Sequence, residues 1–452
     1  MTDNQTSRAA ELTKQFQDRL DYDELLNCMR CGFCLPACPT YRETKGNEAA
    51  SPRGRIAMMK AVVDGVYEPD EDFENQLSLC LGCRACEPAC PSGVKYGHLL
   101  EEATDILQAS KQPSALVRAT RWFIFTHLFP KRRQMRRAAG LLWLYQKSGL
   151  QTLSRATRLT RLAGKQLSAL ERVLPKLPSP KWLNNRPTHL VPQGGATVKK
   201  KVAFFSGCMM DTIFVATNDA TLFLLQRVGC EVFIPAGQSC CGALHAHSGE
   251  KVKAKELAKQ NIAAFEKREI DWIVSNAGGC GAILTEYDDL LKEEPGWHER
   301  AQEFVKKVRD ISEILLETGL PEMELPPQTV TYQDSCHLRN VMKTVAAPRK
   351  LIQAIKGVTF VEMNEADRCC GSAGTYNIVE QAMSMQILDE KMKNVKETKA
   401  ATIVTANPGC LLQMKLGIER EGLTDSLCGT HIADLLAEAV KYRDEHSSSQ
   451  VD

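Results

Sequence analysis

The 452-residue chain has almost no net charge: 57 Lys and Arg face 55 Asp and Glu, a formal +2. That balance excludes a dedicated nucleic-acid binder, which carries a basic surplus. No run approaches the roughly 18 consecutive apolar residues of a membrane span, so an integral membrane protein is excluded. The start, Met1 to Ser7, is polar and has no apolar stretch like that of a secretory leader, so a cytoplasmic location is expected. No Gly-x-Gly-x-x-Gly follows a strand-like run, so no dinucleotide is expected on this chain. What the chain has in excess is cysteine, 18 in all. In a reducing compartment these are not a disulfide framework, and metal or redox chemistry is the expected use.

The cysteines also divide the chain. Eight lie from Cys28 to Cys90, none between Cys90 and Cys208, and ten from Cys208 to Cys428. Between them, residues 106–170 hold thirteen Lys or Arg and no acid, and residues 175–195 hold five prolines and two glycines, the composition of a linker. Four segments follow: a metal-binding module over 1–110, a basic helical connector with a Pro-rich linker over 111–197, and two further domains over 198–322 and 323–452.

The first segment reads Cys28-x2-Cys31-x2-Cys34-x3-Cys38-Pro39 and then Cys80-x2-Cys83-x2-Cys86-x3-Cys90-Pro91. Three thiolates on one tight loop can hold three corners of a [4Fe–4S] cube, while the fourth, before proline, reaches the other cube. Cys28, Cys31, Cys34 and Cys90 are therefore expected to hold one cluster, and Cys38, Cys80, Cys83 and Cys86 the other. Paired zinc sites are the alternative, but those usually join two Cys-x-x-Cys knuckles. Between the motifs, Pro52–Val63 carries apolar residues at 56, 59, 62 and 63, close to helical spacing, and Asp72–Leu81 is a second helical candidate. Arg53 and Arg55 there either offset cluster charge or form ordinary salt bridges.

The last two segments repeat each other. Cys336, Cys370 and Cys410 follow Cys208, Cys241 and Cys280 by 128, 129 and 130 residues, and Cys240-Cys241-Gly242 matches Cys369-Cys370-Gly371. In each copy short β-branched runs alternate with helical ones, which predicts parallel βαβ units. The cysteines then fall just past strand carboxyl ends, the usual ligand side of an open α/β sheet. Cys208, Cys240, Cys241 and Cys280, and likewise Cys336, Cys369, Cys370 and Cys410, are candidate sites for further iron–sulfur clusters. Cys230 and Cys428 stand outside the repeat, and Cys230 reads as a small core residue. His245, His247 and His337 lie beside these cysteines, where second-sphere hydrogen bonding or exposure is expected rather than ligation.

The whole pattern resembles the iron–sulfur subunit family of glycolate oxidase (glycolate dehydrogenase). The stretches that carry the resemblance are CGFCLPACPTY, PRGRI, CPSGVKYGHLL, GGCGAILTEY, CCGSAGTYN and IVTANPGC. It implies an α+β multidomain fold: an α-helical ferredoxin with two [4Fe–4S] clusters, then tandem α/β cysteine-rich (CCG) domains with parallel sheets. It implies an electron-transfer subunit of a complex oxidising glycolate, or a similar 2-hydroxy acid such as D-lactate. Flavin is expected on partner subunits, and quinone or another membrane acceptor beyond; no residue here is expected to be catalytic. The chain departs from the related heterodisulfide reductases, whose domains end in Cys-x-x-Cys; here the second positions are Ile283 and Gln413. That departure counts against the alternative of a self-sufficient disulfide- or quinone-reducing enzyme. An iron–sulfur sensor is a third reading, weakened by the lack of a helix-turn-helix pattern. Basic residues interleaved with aromatics over 106–170 suit either an anionic membrane surface on the cytoplasmic face or a docking face for a partner.

Overall fold

The first hundred residues are helical because their apolar residues recur at helical spacing and their starts are capped. The computed structural model describes residues 3–157 and 164–447. Helices Asp3–Arg19, Pro52–Val63, Glu71–Ser78 and Tyr96–Ser110 bury Leu12, Phe16, Ile56, Met59, Phe73, Leu99 and Ala103 against one another. Ser51 caps the second of these by accepting from the Gly54 amide at 3.0 Å, with Pro52 in the first turn. Gly54 has no room for a side chain, since a Cβ would lie 2.0 Å from the Glu48 carbonyl. The helix expected over Asp72–Leu81 stops at Ser78, where the chain turns into a cysteine loop.

The connector is helical too. It runs through Ala115–Trp122, a π-helical segment Phe123–Leu128, Arg132–Lys147 and Leu150–Ala156. Arg158 and Arg161 lie outside the described residues. Several of its cations pair with acids of the first repeat. Arg132 grips the buried Asp211 through two bonds of 2.8 Å, Arg136 adds a third at 3.1 Å, and Arg121 reaches Glu250 at 3.1 Å.

Among the described residues, nine strands form two sheets. The first comprises β1 (His189–Leu190), β2 (Lys200–Phe204), β3 (Cys230–Phe233), β4 (Trp272–Ser275) and β5 (Val308–Asp310), in the order β1-β3-β2-β4-β5. All pairs are parallel except β1 with β3, so the Pro-rich linker contributes an antiparallel edge ahead of residue 198. The second comprises β6 (Met323–Gln333), β7 (Ile355–Phe360), β8 (Thr402–Thr405) and β9 (Cys428–His431), all parallel, in the order β7-β6-β8-β9. Cys230 is fully buried in β3, as expected of a core residue, and Cys428 is exposed.

The two copies share one apolar core, in which Val202, Leu222 and Leu225 pack with Val330, Ile432 and Leu436. Backbone bonds also join them: the Gly278 amide donates to the Ala406 carbonyl at 3.0 Å. No helix among the described residues is long and apolar enough to cross a membrane.

Candidate metal centres

The two N-terminal cysteine loops have the same backbone design with glycine in swapped places. Arg30 and Gly32 flank Cys31 in left-handed conformations (φ 55° and 88°), and Gly82 and Arg84 flank Cys83 likewise (φ 61° and 58°). Matching turns follow: the Leu35 amide donates to the Gly32 carbonyl at 2.9 Å, and the Glu87 amide to the Arg84 carbonyl at 3.1 Å. Such a loop curls around its three thiols, so that their sulfurs face a common space.

Each space is a cavity. One is lined by Cys28, Cys31, Cys34, Cys86 and Cys90. The other is lined by Cys38, Cys80, Cys83 and Cys86. The trailing cysteine of each motif thus stands at the cavity of the other motif. Cys86, Pro52 and Tyr96 line both, so the two cavities adjoin through one wall. They differ in exposure. Cys31 is exposed, with Met29 and Phe33 each 67% exposed beside it, whereas Cys38, Cys83 and Cys86 are buried.

The donor sets fit a polynuclear group. Among the described residues, no three His, Cys, Asp or Glu side chains converge on a single ion. Four thiols around one shared space suit a cube, which holds its ligands apart and takes thiolate sulfur on every iron. The second cavity also offers donors to sulfur: the Gly82 amide and the Tyr96 hydroxyl each lie 3.5 Å from Cys80 Sγ. Burial pushes the Cys38 thiol up, an effect that Arg55 offsets, and pushes Cys86 well up. Such thiols would bind metal as thiolates, the metal replacing protons that are released to solvent.

In the repeat, the thiols gather in chains. Cys208 donates to Cys240 Sγ at 3.6 Å and Cys241 to Cys280 Sγ at 3.3 Å. In the second copy Cys336 packs with Cys369, and Cys370 with Cys410. Gly242 and Gly371 follow the vicinal pairs at φ 92° and 86°, and a Cβ on Gly371 would lie 2.6 Å from the Ser384 carbonyl. All eighteen cysteines are free thiols, the Cys240–Cys241 pair included.

The two copies are not chemically alike. Buried Asn261 in the first donates to the Cys240 carbonyl at 2.9 Å. One repeat later stands Lys391, also buried, with its ammonium lowered by burial to about 8 and the Cys370 and Cys369 thiols pulling the other way. Gln413, at the position of the missing fifth thiol, donates to Ser384 Oγ at 3.1 Å.

Comparison with known proteins matches residues 24–94 to a family described as 4Fe-4S dicluster domain. Residues 202–285 and 330–415 each match one described as cysteine-rich domain, and residues 116–174 one described as glycolate oxidase iron-sulfur subunit, linker region. A probable glycolate oxidase iron-sulfur subunit of Bacillus subtilis is 59% identical over 96% of this chain and 98% of its own length. The chain belongs to the glycolate oxidase iron–sulfur subunit family. The Escherichia coli glycolate oxidase iron-sulfur subunit is 30% identical over 89% of this chain and 93% of its own. A lactate utilization protein A of Oceanobacillus iheyensis is 36% identical over 52% of this chain and 96% of its own.

His245 Nε2 lies 2.9 Å from the carbonyl of Phe125, in the π-helical segment. His337 Nδ1 lies 3.4 Å from Cys336 Sγ, and burial pushes its imidazole down to about 3. Two long-range pairings around these thiols are not visible in the sequence. His247 Nδ1 pairs with Glu101 at 2.9 Å, and Arg84 joins Glu87 to Glu286, tying the N-terminal module to the first copy. Nothing in the local pattern marks the His247–Glu101 and Arg84–Glu286 pairs, whose members lie 146 and 202 positions apart.

Proposed function

We propose that this chain is the electron-transfer subunit of a complex that oxidises glycolate, or a similar 2-hydroxy acid such as D-lactate, to the 2-oxo acid. The observation that carries this reading is a succession of cysteine sites. It begins at exposed Cys31, crosses two adjoining cavities that share Cys86, and reaches Cys83, which packs in one buried cluster with Cys369 of the second repeat. Fully thiolate-ligated cubes leave no iron open to substrate, so they pass single electrons.

In this reading Cys28, Cys31, Cys34 and Cys90 hold one [4Fe–4S] cluster, and Cys38, Cys80, Cys83 and Cys86 the other. The segments 1–110, 111–197, 198–322 and 323–452 are the working units. Cys208, Cys240, Cys241 and Cys280, with Cys336, Cys369, Cys370 and Cys410, are further cluster sites. Flavin sits on partner subunits, and electrons go on toward quinone on the cytoplasmic face of the membrane. Leu116, Trp122, Phe123, Leu141 and Leu144, all exposed on the connector, form the face that meets a partner or an anionic lipid surface.

Iron and acid-labile sulfide analysis of the anaerobically purified chain tests this. At least about eight irons and eight sulfides per chain are expected for the N-terminal pair. Stoichiometric zinc without sulfide overturns it.

A further inference from the structure

The helix Pro52–Val63 buries a cation that has no acidic partner. Arg55 is fully buried, and among the described residues no carboxylate pairs with it. Its Nε donates to the Gln76 carbonyl at 2.6 Å and its Nη2 to Thr40 Oγ1 at 3.1 Å. Thr40 passes the bond on, donating to the Ala50 carbonyl at 2.7 Å, which fixes the guanidinium in place. Nη1 is buried and has no acceptor. An unpaired buried charge of this kind is costly unless something else in the site answers it.

The surroundings show where that charge is directed. Arg55 lines the second cavity together with Cys38, Cys80, Cys83 and Cys86. Burial opposes its charge, and Cys80, Tyr96 and Cys38 favour it. Arg53, the other arginine of the motif, is spent differently. It lines the first cavity but is bound to Glu48 at 2.6 Å and to the Arg30 carbonyl at 2.9 Å, on the exposed surface. The buried cavity therefore has an uncompensated cation, and the open one has a neutralised ion pair.

We propose that Arg55 sets the direction of electron flow through the N-terminal module, by making the second site the easier of the two to reduce. This rests on the iron–sulfur reading above and goes beyond it. In the step, the group at the first site loses one electron and the group at the second gains it; no bond forms or breaks and no proton moves. The acceptor ends with one more negative charge. Burial alone opposes that change, because a low-dielectric site solvates added charge poorly. A fixed guanidinium in the same low-dielectric site, with a free donor, reverses the balance and acts more strongly than it would in water. Arg55 is thus a positioning residue for charge and not a ligand.

The test is an EPR-monitored redox titration of the full-length, cluster-loaded chain, as wild type and as Arg55→Gln, Arg55→Lys and Arg53→Gln. In wild type the second site should be reduced before the first. The Gln variant should weaken reduction of the second site at least tenfold, a fall of about 59 mV for this one-electron couple. The first site should stay unchanged, Arg55→Lys should recover most of the loss, and Arg53→Gln should move the second site little. An unchanged second potential in a fully loaded Gln variant overturns the proposal, as does a Lys variant that falls as far as Gln. Should the Gln variant fail to hold its second cluster, the wild-type order decides: a first site reduced before the second overturns the proposal. A wild-type chain without sulfide or cluster signals overturns the iron–sulfur reading itself, before any variant is compared.

Discussion

The side chain of Cys83, on the second N-terminal loop, packs in one buried cluster with that of Cys369, in the vicinal pair of the second repeat. Two neighbouring bonds hold this contact: Asn340 Nδ2 donates to the Cys83 carbonyl at 2.9 Å, and Tyr376 Oη to the Leu79 carbonyl at 2.8 Å. Residues almost three hundred positions apart thereby bring the two kinds of thiol site edge to edge. Perturbing one should be felt at the other. Cys369→Ala should alter the EPR signal of the second cluster and leave that of the first alone; equal effects on both would argue against the contact.

The crossing of the trailing cysteines gives a second prediction. Cys38→Ser should damage the cluster whose other ligands are Cys80, Cys83 and Cys86, although Cys38 belongs to the first motif. Cys90→Ser should damage the first. Iron content and EPR of each purified variant distinguish this from a model in which every motif serves itself. In that model the two outcomes are exchanged.

Much of this arrangement was legible because it depends on short-range spacing. The two cysteine motifs, the helix from Pro52, the strands before Cys208, Cys336 and Cys410, and the repeat offset all follow from local pattern and its duplication. Arg55 could be named from the sequence but not assigned, since an arginine on an amphipathic helix is usually solvated. What decides is the missing acidic partner, and that is a tertiary fact. The pairing of Arg132 and Arg136 with Asp211 was hidden for the same reason: the partners lie 75 to 79 residues apart. The antiparallel β1 was masked by its Pro-rich flanks.

The connector separates into two sets of cations, and the sets should behave differently. Lys131, Arg133 and Arg137 are exposed, whereas Arg132 and Arg136 hold a carboxylate that is 3% exposed. Replacing the first three with Gln should weaken binding to anionic liposomes, measured by sedimentation at low and high salt, without lowering the melting temperature. Replacing Arg132 and Arg136 should cost about 3–5 kcal/mol of stability, because Asp211 is then buried alone. If the first variant binds liposomes as well as wild type but fails to join its flavin partners, the basic stretch is a docking surface.

Asp310 gives a pH-dependent prediction. Burial raises its carboxyl from the usual 3.8 to about 7, against the bonds it accepts from Ser312, and its Oδ2 has no partner. The folded chain therefore favours the protonated form. The stability this group contributes is full below about 4 and is lost as pH rises through about 7. Asp310→Asn keeps an acceptor for the Ser312 amide and removes the charge. Its denaturation midpoint should gain on wild type between pH 5 and pH 8; a constant gap would contradict the shift.

The most direct test of the chain as an electron carrier is to add glycolate anaerobically and watch its clusters by EPR, with and without the flavin-bearing partner subunits. Reduced-cluster signals should appear only when the partners are present, and the isolated chain should stay oxidised and bind no flavin. Reduction of the pure chain by glycolate, or clusters that remain oxidised in the active complex, would contradict the account.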